Sequence, residues 1–206
     1  MGEATALTSM SLSKRRSYHV GNVRVQLLSA ARDLLAEEGK ARLSLRSIAG
    51  RTGVAPGTVY YHYADKHALL AGLAIDGFKE MAEAMRLAVA QRGELSGLRA
   101  AGLAYIAFVK EKPALYELMY DAREHGRRDD VAAAEMAAFN VLADAIAADL
   151  EGRHPPERAR QAAQALWAFG RGAATLALTC SEPGDGPQDQ VFRDSVAGLE
   201  FLILDL

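Results

Sequence analysis

The side chains whose types and spacing could do chemistry are concentrated in one stretch of this 206-residue chain, Leu43 to Tyr63, which reads LSLRSIAGRTGVAPGTVYYHY. Arg46, Thr58, Tyr60, Tyr61 and His62 bring a guanidinium, three hydroxyls and an imidazole into it. Donors of this kind suit phosphate oxygens and base edges. They do not form a catalytic set. The five histidines, at 19, 62, 67, 125 and 154, have no metal-ligand spacing, and no glycine-rich loop of the phosphate-cradling kind occurs. Cys180 is the single cysteine and has no cation or histidine beside it that would activate a thiolate. Metal, cofactor and enzymatic chemistry are therefore not expected.

Two short helices and a tight turn must position these groups. Ser44 can cap the first helix, and Leu45, Ile48 and Ala49 give it one apolar face. Gly53 falls where the chain needs a left-handed residue, Val54 plugs the corner, and Pro56 suits the first turn of the second helix. That second helix buries Val59 and leaves Thr58, Tyr60, Tyr61 and His62 on or near its open side. Tyr63 is expected to be core. The unit is a helix-turn-helix whose second helix has the form of a DNA-recognition helix.

The same residues carry a resemblance. Gly57-Thr58-Val59-Tyr60-Tyr61-His62-Tyr63, then Asp65-Lys66 and Leu69-Leu70, with Ser44, Arg46, Ile48-Ala49 and Gly53-Val54, resemble the DNA-binding domain of the tetracycline-repressor (TetR) family of bacterial regulators. The match runs from about Val23 to Leu73. Ala55 departs from it where a capping serine often stands, and His67 where an acidic residue commonly follows the lysine. By side-chain type and by this resemblance, Ser44, Thr58, Tyr60, His62 and Lys66 are candidates for anchoring DNA phosphates. Arg46 could reach a guanine, and Pro56, Gly57 and Tyr61 could touch thymine methyls. Lys66 opens a helix, where a cation faces the positive end of the dipole, a placement that suits a bound phosphate.

Charge supports a polyanion-binding head. Residues 1–66 hold ten Lys and Arg against five Asp and Glu, a net +5, while the remaining residues hold fourteen against twenty-one, a net −7. Residues 1–17 read as a tail whose Lys14-Arg15-Arg16 either reaches DNA or only aids solubility. The basic cluster follows the weakly apolar part, the wrong order for a secretory signal. Apolar runs look short and charge-interrupted, so no transmembrane helix is expected, and a lone cysteine fits a reducing compartment. A cytoplasmic location with no membrane partner is the expectation.

Apolar spacing predicts helices throughout and no strand. The first is expected over about Gly21 to Glu38, the fourth from Asp65 to Arg92, the fifth from Leu95 to Glu111, and a short sixth from Ala114 to Tyr120. A loop follows over Asp121–Arg128, then helices over Asp130–Leu150, Pro156–Thr179 and Gln188–Leu206. The expected fold is all-α with about nine helices: a three-helix head over residues 18–66 and a helical-bundle body for effector binding and dimerisation over 67–206.

Within the body, Met85, Tyr105, Phe108, Tyr116, Met119, Tyr120, Met136, Phe139, Trp167 and Phe169 either line a ligand cavity or are plain core. Arg171 and Arg123 are candidate anchors for an anionic effector, or only partners of a buried carbonyl or acidic neighbour. The stretch from Tyr105 to Tyr120 is similar to the effector domain of one TetR branch with a Trp-x-x-x-His-Gly signature. Here Trp167 is followed by Arg171-Gly172, so arginine replaces the histidine. Helix eight carries small residues, Ala162, Ala165 and Ala173, and helix nine an apolar stripe, Phe192, Val196, Leu199, Ile203 and Leu206. Small residues permit close helix approach, and the family implies that both helices pair with their copies in a homodimer. The function expected is ligand-responsive regulation, chiefly repression, by a homodimer on a pseudo-palindromic double-stranded DNA operator. The alternatives are a helical carrier or enzyme with a vestigial head, and a regulator whose body only dimerises.

Overall fold

The structure, a computed structural model, describes residues 23–124, 129–151, 153–179 and 187–204. Among these the fold is all-α. Helix α1 covers 23–38, followed by a 3-10 turn at Lys40–Arg42, α2 (Leu45–Thr52), α3 (Pro56–His62), α4 (Lys66–Ala90), α5 (Gly97–Glu111), α6 (Pro113–Glu124), α7 (Asp129–Asp149), α8 (Pro156–Thr179) and α9 (Pro187–Leu204). The chain divides into two compact units, residues 1–73 and 74–206.

Four helices supply the core of the first unit. Leu27, Ala31, Leu34 and Leu35 of α1 are buried with Leu45, Ile48 and Ala49 of α2, Val59 of α3 and Leu69, Leu70 and Leu73 at the start of α4. Gly72 lets the Tyr63 ring lie on α4, since a Cβ there would stand 3.1 Å from that ring. Arg51 of α2 grips Glu37 of α1 with two guanidinium bonds of 2.7 and 2.5 Å, the fork geometry that ties the two helices at their solvent edge. That pairing lowers the Glu37 carboxyl below its usual range, the hydrogen bond from Arg51 being the main cause.

In the second unit α5 is the central helix, packed by α6, α7, α8 and α9. Its start is set by two devices. Ser96 caps it, accepting from the Arg99 amide at 3.1 Å, and the Asp149 carboxylate at the end of α7 accepts from the Gly97 and Leu98 amides at 3.0 and 2.8 Å. The helix therefore begins two residues after Leu95, the expected start. Close approach depends on glycines: a Cβ at Gly77 of α4 would lie 2.6 Å from Met119 Sδ, and one at Gly97 would lie 3.1 Å from the Ala145 carbonyl. Pro113 opens α6 rather than merely ending α5, and α6 continues past Tyr120 to Glu124, into the expected loop.

One expectation needs correction. Among the described residues, helix α7 is long and apolar enough to cross a membrane by length and composition. Alanine dilutes its few charges enough to pass that test, which the reading of short, interrupted runs overlooked. Its buried face, including Val131, Ala138, Phe139, Leu142 and Ile146, packs in the body against α5 and α8.

Candidate nucleic-acid interface and body cavity

The α2–α3 pair is shaped by local rules. Ser44 is the N-cap of α2, its hydroxyl accepting from the Ser47 amide at 3.0 Å, while the Ser47 hydroxyl accepts from the Ser44 amide in return. Gly53 ends the helix at φ 70°, ψ 8°, the left-handed conformation a side chain resists, and its amide donates to the Ala49 carbonyl. Ala55 precedes α3 without a side-chain cap, and Pro56 takes the first position, where its missing donor costs nothing.

This frame turns the chemistry outward. Val59 is fully buried and Tyr63 is 2 % exposed, so both pin α3 to the head. Tyr60 and Tyr61 stand 58 and 79 % exposed, and Arg46, Pro56 and Gly57 are also exposed. Thr58, His62 and Lys66 are half-buried. The rings of Tyr61 and His62 meet edge to face at 5.3 Å. Lys66 Nζ lies 3.4 Å from the Lys40 carbonyl oxygen, which brings the start of α4 beside the turn that leads into α2. Ser44 is half-buried, and its hydroxyl proton points to Ser47 Oγ at 2.9 Å, so its first duty is to the cap.

The body contains a cavity of about 30 Å³ with an almost wholly apolar lining. Met85, Tyr105, Trp167 and Phe169 line it. Leu98, Ala101, Gly102, Leu142, Leu166, Gly170 and Val196 line it too, and sequence reasoning had not singled them out as pocket residues. Most are ordinary core types. Gly102 and Gly170 carried the only signal, since glycine inside a helix costs stability and asks for a reason. A Cβ at Gly170 would stand 3.3 Å from the Tyr105 ring, and one at Gly102 would stand 3.4 Å from Val196.

Phe108, Tyr116, Met119, Tyr120 and Phe139 are buried away from this lining, and Met136 is 48 % exposed. An aromatic network nevertheless joins several of them. Trp167 meets Phe139 and Tyr105 edge to face at 5.8 and 5.7 Å, Tyr105 meets Tyr116, and Tyr116 meets Tyr120 at 5.0 Å. Tyr120 in turn meets Phe78 of α4 at 5.5 Å. The hydroxyls of Tyr105 and Tyr116 are 2.6 Å apart, and the Trp167 indole N–H points to the Glu135 carboxylate at 3.4 Å. Burial pushes the phenols of Tyr105, Tyr116 and Tyr120 above their usual range, so all three remain protonated. Arg171 places its guanidinium 4.2 Å over the Tyr120 ring. The Arg123 side chain lies outside the described residues.

Of the residues expected at a dimer face, Ala165 is exposed, and Ala162, Ala173, Leu199 and Ile203 are half-buried. Val196 does not belong with them. It points inward against Gly102 and is buried within its own chain, because the inner stripe of α9 is the one that packs on α5. The Phe192 side chain and Leu206 lie outside the described residues. Phe169 and Phe201, at 37 and 62 % exposure, are the large apolar side chains that α8 and α9 leave uncovered among the described residues.

Two family profiles match the chain. The one described as "Bacterial regulatory proteins, tetR family" covers residues 27–73, and "Tetracyclin repressor-like, C-terminal domain" covers 98–199. The HTH-type transcriptional regulator YobS of Bacillus subtilis is 26 % identical over 115 residues, 56 % of this chain and 60 % of that protein. The chain thus spans less than two thirds of that relative. A solved structure of a Rhodococcus sp. RHA1 protein of unknown function is 29 % identical, with a TM-score of 0.71 over 85 % of this chain and 92 % of the other. A TetR-family transcriptional regulator from Streptomyces coelicolor shares the fold at a TM-score of 0.67 and 21 % identity, over 90 % of this chain and 99 % of that one.

Proposed function

The chain belongs to the tetracycline-repressor (TetR) family of transcriptional regulators, and from that membership we propose that it is a homodimeric, ligand-responsive repressor of a pseudo-palindromic operator. The observation that carries this function is α3 itself. Val59 and Tyr63 anchor it in the head while Pro56, Gly57, Tyr60 and Tyr61 are left open, the presentation a helix needs to enter a major groove. Arg46 reads bases beside it, and Thr58, Tyr60, His62, Lys66 and the cap residue Ser44 hold phosphates. Two heads read half-sites about one helical turn apart.

The effector acts through the body. A cavity of about 30 Å³ holds little more than water, so the effector must select a state in which Tyr105, Trp167 or Phe169 has moved aside. Its differential affinity for that state is the whole of its leverage on DNA. Helix α4 is one unbroken helix from Lys66, through Phe78, to Met85 and on to Ala90. Displacement at Met85 or Phe78 is carried along it to Lys66, with a coupling of about 1–3 kcal/mol typical of such systems. The small cavity also favours a second version, a regulator whose body serves only to dimerise.

The test is a gel shift on the DNA upstream of the protein's own gene, at two salt concentrations. A sequence-selective, salt-sensitive complex of one dimer per site is expected. Equal binding to any DNA, or none, would sink the proposal.

A further inference from the structure

Apolar side chains from five helices surround the body cavity, among them Met85 of α4, Leu98 of α5, Leu142 of α7, Leu166 of α8 and Val196 of α9. None of the described residues that line it carries a charge. Tyr105 and Trp167 bring the O–H and N–H groups of the lining, and both groups are turned to partners outside it. The Tyr105 hydroxyl bonds to the Tyr116 hydroxyl at 2.6 Å, and the Trp167 indole N–H donates to the Glu135 carboxylate at 3.4 Å. An ionised ligand seated here would give up its hydration and meet no partner in return, a cost that keeps unpaired charge out of apolar sites. A neutral apolar ligand would lose little and gain burial.

The space is about 30 Å³, so a lining side chain has to give way before anything larger than water enters. Tyr105 is held. It is buried and bonded to Tyr116, and its ring lies on α8 at Gly170, where a Cβ would stand 3.3 Å from it. Trp167 is held by Glu135 and by edge-to-face contact with Phe139 and Tyr105. Phe169 differs. It lines the cavity yet stands 37 % exposed, which puts it at the mouth, and a phenyl ring has no hydrogen bond to break on turning outward. The place it leaves has the size of one phenyl ring and adjoins a cavity walled by the rings of Tyr105 and Trp167. An aromatic ring in such company gains edge-to-face or offset contacts beyond what burial alone supplies. We propose that the effector is a neutral monocyclic aromatic molecule that takes the place of the Phe169 ring beside Tyr105 and Trp167. This rests on the effector-responsive function above and names the chemical class of the effector.

Trp167 lines the site and is the only tryptophan in the chain, so its emission reports occupancy. Probes of similar size vary one property each: toluene, the anion benzoate, the cation benzylamine and the saturated ring methylcyclohexane. Titrated into the full-length protein, toluene should shift Trp167 emission saturably. It should bind at least about tenfold more tightly than benzoate or benzylamine, and several-fold more tightly than methylcyclohexane. Phe169→Ala should tighten toluene several-fold, because no ring need be displaced, and Phe169→Trp should weaken it by adding bulk at the same place. Damage to the fold cannot move the two variants in opposite directions. Equal or tighter binding of any other probe, a Phe169→Ala that fails to tighten toluene, or no saturable response in the unaltered protein overturns the proposal. A gel shift on operator DNA with and without toluene keeps the two ideas apart. Toluene should release the complex, and toluene that binds without releasing it overturns its role as effector class. Lost DNA binding without any probe would count against the regulator function and leave the aromatic site standing. An operator complex with no Trp167 response to toluene would count against the ligand class alone.

Discussion

At the scale of single residues, the head separates side chains that fold it from side chains that it displays. Val59, Tyr63 and Ile48 are buried, and Ser44 and Gly53 set the ends of α2, so their substitution should act on stability first. Arg46 and Lys66 do little for folding by comparison, and they are the residues proposed to divide the two jobs on DNA. Lys66→Ala should weaken binding alike on operator and random DNA and flatten the salt slope by about one, because one phosphate contact is lost. Arg46→Ala should instead cost about 1–3 kcal/mol on operator alone and relax the base preference at one position. Titrations of both variants on both DNAs would distinguish them, and an Arg46→Ala that loses affinity for all sequences equally would make Arg46 a phosphate contact.

At the scale of elements, the start of α5 is the joint most exposed to a single change. The Asp149 carboxylate takes two of its orphan amides and sets a negative charge at the positive end of the helix dipole. Asp149→Ala should therefore destabilise the body by about 1–3 kcal/mol. Asp149→Asn, which keeps one acceptor oxygen, should lose less. Urea unfolding checks the energy, and amide exchange should rise first at Gly97 and Leu98. Unchanged exchange at those two amides would show that Ser96 alone holds the helix start. Helix α6 makes the complementary point: it carries Tyr116 to the Tyr105 hydroxyl of α5 and Met119 to Gly77 of α4.

At the scale of the whole molecule, the proposed dimer depends on what α8 and α9 leave uncovered. Ala165, Ala168 and Gly172 are exposed small residues at helical spacing on α8, and Gly198 and Phe201 are exposed on α9. A second copy can approach such a face closely. Phe201→Glu should leave the fold intact, since the ring is 62 % exposed, and weaken self-association at least tenfold. Sedimentation equilibrium measures that directly, and operator affinity should fall with it because two half-sites need two heads. A variant that stays dimeric places the interface elsewhere.

The sequence by itself determined the helices and the head. Ser44, Gly53 and Pro56 act within a few residues of themselves, so capping, left-handed backbone and proline geometry could be read without any tertiary contact, and the buried Val59 followed from helical spacing. It also determined the family, through a motif whose order of residue types is local. What only the tertiary structure decided was which apolar side chains face one another. Met85, Tyr105, Trp167 and Phe169 line the cavity while Phe108 and Met119 are buried away from it, although all six look alike as helical apolar residues. Val196 faces inward although its stripe looked fit for a partner, and Glu135 is buried beside Trp167 although nothing near it in sequence marks it. The physical reason is range. Helical periodicity fixes a face, but the neighbour that covers that face comes from a helix tens of residues away.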